Sequence, residues 1–181
     1  MNTGNSRGDV RGYTPSSLAA LAFLGLVLLQ GFHELEHIIQ VLQRFVLHNP
    51  KGAGILGSWL DIEPVHLAYN LGFLLLIGCA YYLGGFHRRE TRPRPTVFWL
   101  MTFVLAFQTY HVTEHFFKIA QFIQTGMNGT PGILGNVFNV VWLHFTYNTI
   151  EYLPVLGAYF VGGFHAAAMA TLRRKRWLTA S

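Results

Sequence analysis

The chain reads as an all-α integral membrane protein. The expected architecture is a bundle of four transmembrane helices, built from two parallel two-helix repeats with pseudo-twofold symmetry along the membrane normal. Three observations lead there. Of 181 residues, 51% are apolar and only 12% are charged, about half the charged share of a soluble domain. Four apolar runs, at about 18–40, 65–86, 97–119 and 141–164, each reach the roughly 20 residues needed to cross a hydrocarbon core. Finally, residues 30–87 align with 108–165 at a constant offset of 78 and without a gap, with 19 of 58 positions identical.

These features divide the chain into an N-terminal tail (1–17), a first repeat (18–87), a basic linker (88–96), a second repeat (97–165) and a basic C-terminal tail (166–181). The first run is longer than a signal-peptide core and lacks a small-x-small cleavage site, so it reads as a retained helix. Basic residues cluster at Arg7 and Arg11, in HRRETRPRPT between the second and third runs, and in RRKR after the fourth. The positive-inside rule makes these segments cytoplasmic. Both termini are then expected on the cytoplasmic side of a cell inner or plasma membrane, with the loops at about 41–64 and 120–140 opposite. The net charge of +5 therefore reports orientation and gives no signal for nucleic acid. Cys79, the one cysteine, lies inside the second run and reads as an apolar side chain.

Because each unit has two spans, the second starts on the same side as the first, so the repeats are parallel. A four-helix bundle then sets equivalent residues facing each other across the axis. The apolar residues of the first and third runs share almost no identities, but the polar ones do. QGFHELEHIIQVLQ pairs with QTYHVTEHFFKIAQ, GILG at 54–57 with GILG at 132–135, HLAYN with HFTYN, and YYLGGFH with YFVGGFH. Any apolar residue serves against lipid, whereas a site is held by specific atoms.

HELEH, residues 33–37, fits both the HExxH and HxxEH patterns of zinc proteases. Glu34 becomes Val112 in the second copy while Glu36 persists as Glu114, so the shared motif is H-x-x-E-H. At 100° per residue, Gln30, His33, Glu36, His37 and Gln40 share one helical face, as do Gln108, His111, Glu114, His115 and Lys118. His66 and Asn70 share a face, as do His144 and Asn148. Counting rise from the cytoplasmic boundary sets His37 level with His66 and His115 with His144. Six histidines and two glutamates then converge near the outer boundary.

Carboxylates in a membrane cost about 2.5–3.5 kcal/mol each at mid-bilayer and must be offset by cations or protons. Neutral imidazoles with carboxylates suit divalent transition metals, iron or copper ahead of zinc. The expected ligands are His33, Glu36, His37 and His66, with His111, Glu114, His115 and His144. Gln30, Tyr69, Asn70, Gln108, Tyr147 and Asn148 are the expected supporting residues behind them. Other features read as structural: GGFH ends helices, the GILG loops fold as a lid or pack as ordinary loops, Gly72 and Gly78 aid packing, and Pro154 kinks its helix. Glu151 has Phe73 as its counterpart and breaks the symmetry, as a proton carrier or as an acid supporting a ligand.

The function expected is metal-dependent redox or oxygen chemistry near the exoplasmic face. A lipid-soluble substrate such as a quinone would arrive laterally from the bilayer, and an electron-donor protein would supply reducing power. The HxxxH pairs resemble the histidine boxes of membrane di-iron hydroxylases and desaturases, whose HxxHH boxes are absent here. Three alternatives stand beside it. Haem b would use twofold-related histidines, His33 with His111 or His37 with His115. A small proton- or ion-conducting subunit would use the same intramembrane ionisable groups. A zinc protease would use Glu36 as its base.

Overall fold

In the computed structural model the described residues are 13–58, 61–90 and 92–178, with side chains through 174. Arg7 and Arg11, most of the expected N-terminal tail, and the side chains of Lys175 and Arg176 lie outside them. The described residues form five α-helices: α1 (Ser17–Val41), α2 (Glu63–Leu83), α3 (Pro95–Thr125), α4 (Val140–Val161) and α5 (Phe164–Leu178). One π-helical turn, Leu42–Val46, prolongs α1.

Local chemistry sets the helix ends. Ser16 Oγ accepts from the Ala19 amide at 3.1 Å and opens α1. Asn139 Oδ1 accepts from Val141 and Trp142 at 3.0 and 3.3 Å and opens α4. Pro64 and Pro95 occupy the first turns of α2 and α3, where a missing N–H loses no helical bond. Gly126, in the left-handed region at φ 70°, closes α3.

α1 packs against α2, α4 and α5, and α3 packs against α2 and α4. One end of this assembly is an apolar core in which Phe23 stacks on Phe164 with centroids 3.7 Å apart and on Phe86 at 6.1 Å. Ile77, Met101, Val155 and Ala158 are buried around them. The two GGFH segments build this core. Phe86 folds over Gly84 and Phe164 over Gly162, where any Cβ would overlap the ring.

Away from this apolar core, toward the loop end, the helices are polar inside and apolar outside. Gln30, His37, Asn70, Gln108, His111, Glu114, His115 and Glu151 are buried. Leu28, Leu75, Trp99, Ile123, Leu153 and Phe160 are exposed. This inverts the distribution of a water-soluble protein. Ser17–Val46 and Glu63–Leu83 are long and apolar enough to cross a membrane. A third span arises if Val140–Val161 and Phe164–Arg174, bent by 69°, count as one.

Two further features of the helices stand out. α3 has 31 residues, more than enough length, but is not among the helices apolar enough to count as a span. Its polar residues are numerous, and Gln108, His111, Glu114, His115 and Lys118 face inward. The expected C-terminal tail is largely helical: α5 turns away from α4 and lies along α1.

Candidate metal centre

His33 and His37 are one helical turn apart on the inward face of α1, and His66 enters from the first turns of α2. One ring nitrogen from each lies within 4.8 Å of the other two. His33 Nε2 and His37 Nε2 are 3.2 Å apart. His37 Nδ1 pairs with Gln40 Oε1 at 2.9 Å. Because an amide oxygen only accepts, that nitrogen carries the proton, which leaves the His37 Nε2 lone pair aimed into the triad. Tyr69 lies flat on His33, with ring centroids 4.1 Å apart. His66 Nε2 donates to Asp61 Oδ1 at 2.8 Å. Burial pushes the Asp61 carboxyl up, but the hydrogen bond from His66 and the charges of His66 and Arg44 more than offset this and hold it below its ordinary value.

The second triad is His111 and His115 from α3 with His144 from α4, again with nitrogens within 4.8 Å of one another and all three residues buried. His111 Nδ1 donates to Glu151 Oε1 at 2.8 Å, while its Nε2 is buried without a hydrogen-bond partner. His115 Nδ1 is likewise buried and unpartnered, 4.0 Å from Glu63 Oε2. Ligands about 2.0–2.1 Å from one ion stand roughly 3.3–4.2 Å from each other. Each triad therefore gathers three imidazoles at close to the spacing an ion needs.

The triads touch. His144 stacks on His66 at 5.9 Å and on His115 at 5.4 Å, with ring planes within 6° of parallel. His37 is 5.7 Å from His144. The expected eight-residue pocket thus appears as two adjoining groups of three histidines.

The two glutamates point elsewhere. Glu36 accepts from the backbone amides of Ile55 and Leu56 at 2.8 and 3.2 Å. Glu114 accepts from those of Ile133 and Leu134 at 2.8 and 3.1 Å. Each carboxylate takes the free amides of a GILG turn, a strong charge-assisted arrangement for both partners. Gly54 (φ 75°) and Gly132 (φ 68°) make this approach possible, since a Cβ at either would overlap the carboxylate beneath it. Gln43 clamps Gly54 by two side-chain bonds, and Gln121 clamps Gly132 in the same way. Glu114 Oε2 remains buried without a partner.

The remaining predicted residues cross-link the helices that carry the histidines. Gln30 Nε2 donates to Asn148 Oδ1 at 2.7 Å, and Gln108 Nε2 donates to Asn70 Oδ1 at 3.0 Å. Asn70 in turn donates to the His66 carbonyl and Asn148 to the His144 carbonyl. Tyr147 meets His111 edge-on at 4.9 Å, and its hydroxyl lies 3.3 Å from that of Tyr110.

Sequence reasoning did not single out Asp61, Glu63 or Lys118 as site residues. Lys118 Nζ lies 3.0 Å from Glu63 Oε1 and donates to the Thr130 carbonyl at 2.7 Å. The internal comparison was blind to this pair, since Lys118 aligns with Gln40 and Glu63 with Val141. The usable signal was the inward face that Lys118 shares with the histidines. Glu34, set aside by the same comparison, is buried and accepts from Thr149 Oγ1 at 2.7 Å.

Three imidazoles per group, with no thiolate among them, can hold iron, copper or zinc and leave a coordination position open for chemistry. Neither a protein-family profile, nor a curated protein, nor a solved structure matches the chain.

Proposed function

We propose that this chain is an integral membrane protein carrying two adjoining three-histidine transition-metal sites, at which it performs redox or oxygen chemistry. Iron or copper is the metal, and a lipid-soluble substrate with an electron-donor protein completes the system. The observation that carries the proposal is the His111 imidazole. One nitrogen is held by a buried carboxylate and the other faces two further histidines without a partner. Carboxylate–histidine–metal relays have this form.

Charge supports it. Five buried carboxylates (Glu34, Glu36, Glu63, Glu114 and Glu151) face one buried ammonium, Lys118, an excess of four negative charges when all are ionised. Bound cations would offset part of that excess.

The architecture proposed is four spans in two parallel repeats. Its support is that contacts recur at the offset of 78: Gln30–Asn148 with Gln108–Asn70, and Glu36–Ile55 with Glu114–Ile133. On this reading α3 is a span whose polar face is turned inward, both termini are cytoplasmic, and the GILG turns cover the site from the exoplasmic side. Haem b is disfavoured by the contact between the triads, since a porphyrin plane would have to part the stacked rings of His66 and His144.

The test is elemental analysis of protein purified in detergent, beside the His37→Ala/His115→Ala variant. One or two equivalents of iron or copper in the wild type, lost in the variant, is the expected result. Wild type at background levels overturns the proposal. Proton flux into liposomes, abolished by His37→Ala without bound metal, would favour the conducting subunit instead. That reading rests on the polar cavity of about 290 Å³ that reaches His66 and His144 from the loop end of the helices.

A further inference from the structure

The two triads are unequal. An apolar cleft of about 250 Å³ opens between α1 and α2 beside the first. Leu29, Phe32, Val65 and Leu56, all exposed, form its apolar walls, and His33, Glu36, Gln40 and His66 are its buried or half-buried polar lining, with Asp61 from the loop at its edge. Tyr69 lies flat on His33 with its hydroxyl donating to the Leu29 carbonyl at 2.8 Å, so its ring lines the cleft without blocking it.

At the matching place in the second half stand larger side chains. Phe107 aligns with Leu29 and Tyr110 with Phe32. Tyr147, the counterpart of Tyr69, stands edge-on to His111 and packs against Phe107 at 5.6 Å and Tyr110 at 6.0 Å. His111 is fully buried and tied to Glu151, whereas His33 has no such acid because Phe73 takes the equivalent position.

We infer that the first triad is the substrate-facing one, and that the cleft between α1 and α2 binds the head group of a membrane quinone. The inference rests on the proposed membrane setting and metal centre. Three features select that class. The mouth is apolar and opens on the face that meets lipid, so the ligand arrives from the bilayer. The polar lining offers imidazole and amide N–H groups that can donate to quinone oxygens and carboxylates that can accept from the hydroxyls of the reduced ring, and these have nothing to bond on a bare acyl chain. The volume lies below the roughly 300–1,000 Å³ of sites that enclose a drug-sized ligand, so it suits one substituted six-membered ring with its tail left in lipid.

Decylbenzoquinone is the probe, titrated by equilibrium dialysis into full-length protein in detergent, both as purified and after chelation of metal. Elemental analysis is run on the same samples. Saturable 1:1 binding is expected, weakened tenfold or more by Val65→Trp, which fills the cleft, and unchanged by Leu75→Trp, which adds the same ring at an exposed position away from it. Oleate should compete poorly. Absence of saturable binding in both metal states, equal affinity in Val65→Trp, or oleate displacing the quinone at equal concentration would each overturn the inference. Metal at background levels with quinone still bound in the cleft would sink the metal centre alone.

Discussion

His111 Nδ1 donates to Glu151 Oε1 at 2.8 Å, with both side chains fully buried. The bond orients the imidazole and fixes its tautomer, so that Nε2 presents its lone pair to His115 and His144. Glu151→Leu removes this support from the second triad only. Loss of such a partner costs 10–100-fold in metal affinity in general. In chelator competition, the variant should release one ion 10–100-fold more readily while the other is held as in the wild type. Equal weakening of both ions, or of neither, would show that Glu151 does not act through one triad.

The GILG turns are expected to be intolerant of any side chain. Gly54→Ala or Gly132→Ala places a methyl where the Glu36 or Glu114 carboxylate sits, at a backbone conformation that L-residues avoid. Positive φ alone costs about 1–3 kcal/mol, and freeing the carboxylate from its amides adds to it. Either variant should lower the thermal midpoint in detergent and expose its own loop to proteolysis. An unchanged digestion pattern would mean that the turn is not pinned by the carboxylate.

Lys118 and Glu63 should behave as a coupled pair. Lys118→Met leaves Glu63 buried without its cation, for which about 3–5 kcal/mol is a typical cost. Replacing both partners removes the orphaned charge, so Lys118→Met/Glu63→Leu should recover most of the lost stability. A double-variant cycle on thermal midpoints measures the coupling, and additive losses would refute it.

Acid should release the metal before it unfolds the helices. Imidazole must be neutral to bind an ion, so affinity should fall as acid protonates the triads, as read by metal retained after dialysis. Asp61 acts in a different window. Its folded value lies below the ordinary 3.8. Its contribution is therefore full above the ordinary carboxylate range and is lost as pH falls through the lowered value. Asp61→Asn should destabilise the metal-free protein at neutral pH and flatten its acid limb. Identical pH profiles for the two proteins would remove Asp61 from this role.

Much of the site was legible because one chain carries two versions of it. Drift at outward positions and identity at His33/His111, His37/His115 and His66/His144 mark the inward face. Helical periodicity then placed Gln30, Gln108, Asn70 and Asn148 beside the histidines. The same comparison hid what the two halves do not share. Glu63 and Lys118 are not repeated, and neither is Asp61, the partner of His66, so only the packed helices show these pairs.

Sequence by itself determined α1 to α4, their outward apolar faces and the six inward histidines, because these follow from periodicity and from the cost of burying polar groups. Tertiary structure alone decided that Glu36 and Glu114 bond the loop amides, and that larger side chains stand in the second half where the first has a cleft. The physical reason is that a carboxylate bonds whichever donors the folded chain brings nearest. The donors here are free amides 19 and 20 residues further along, at Ile55 and Leu56 and again at Ile133 and Leu134.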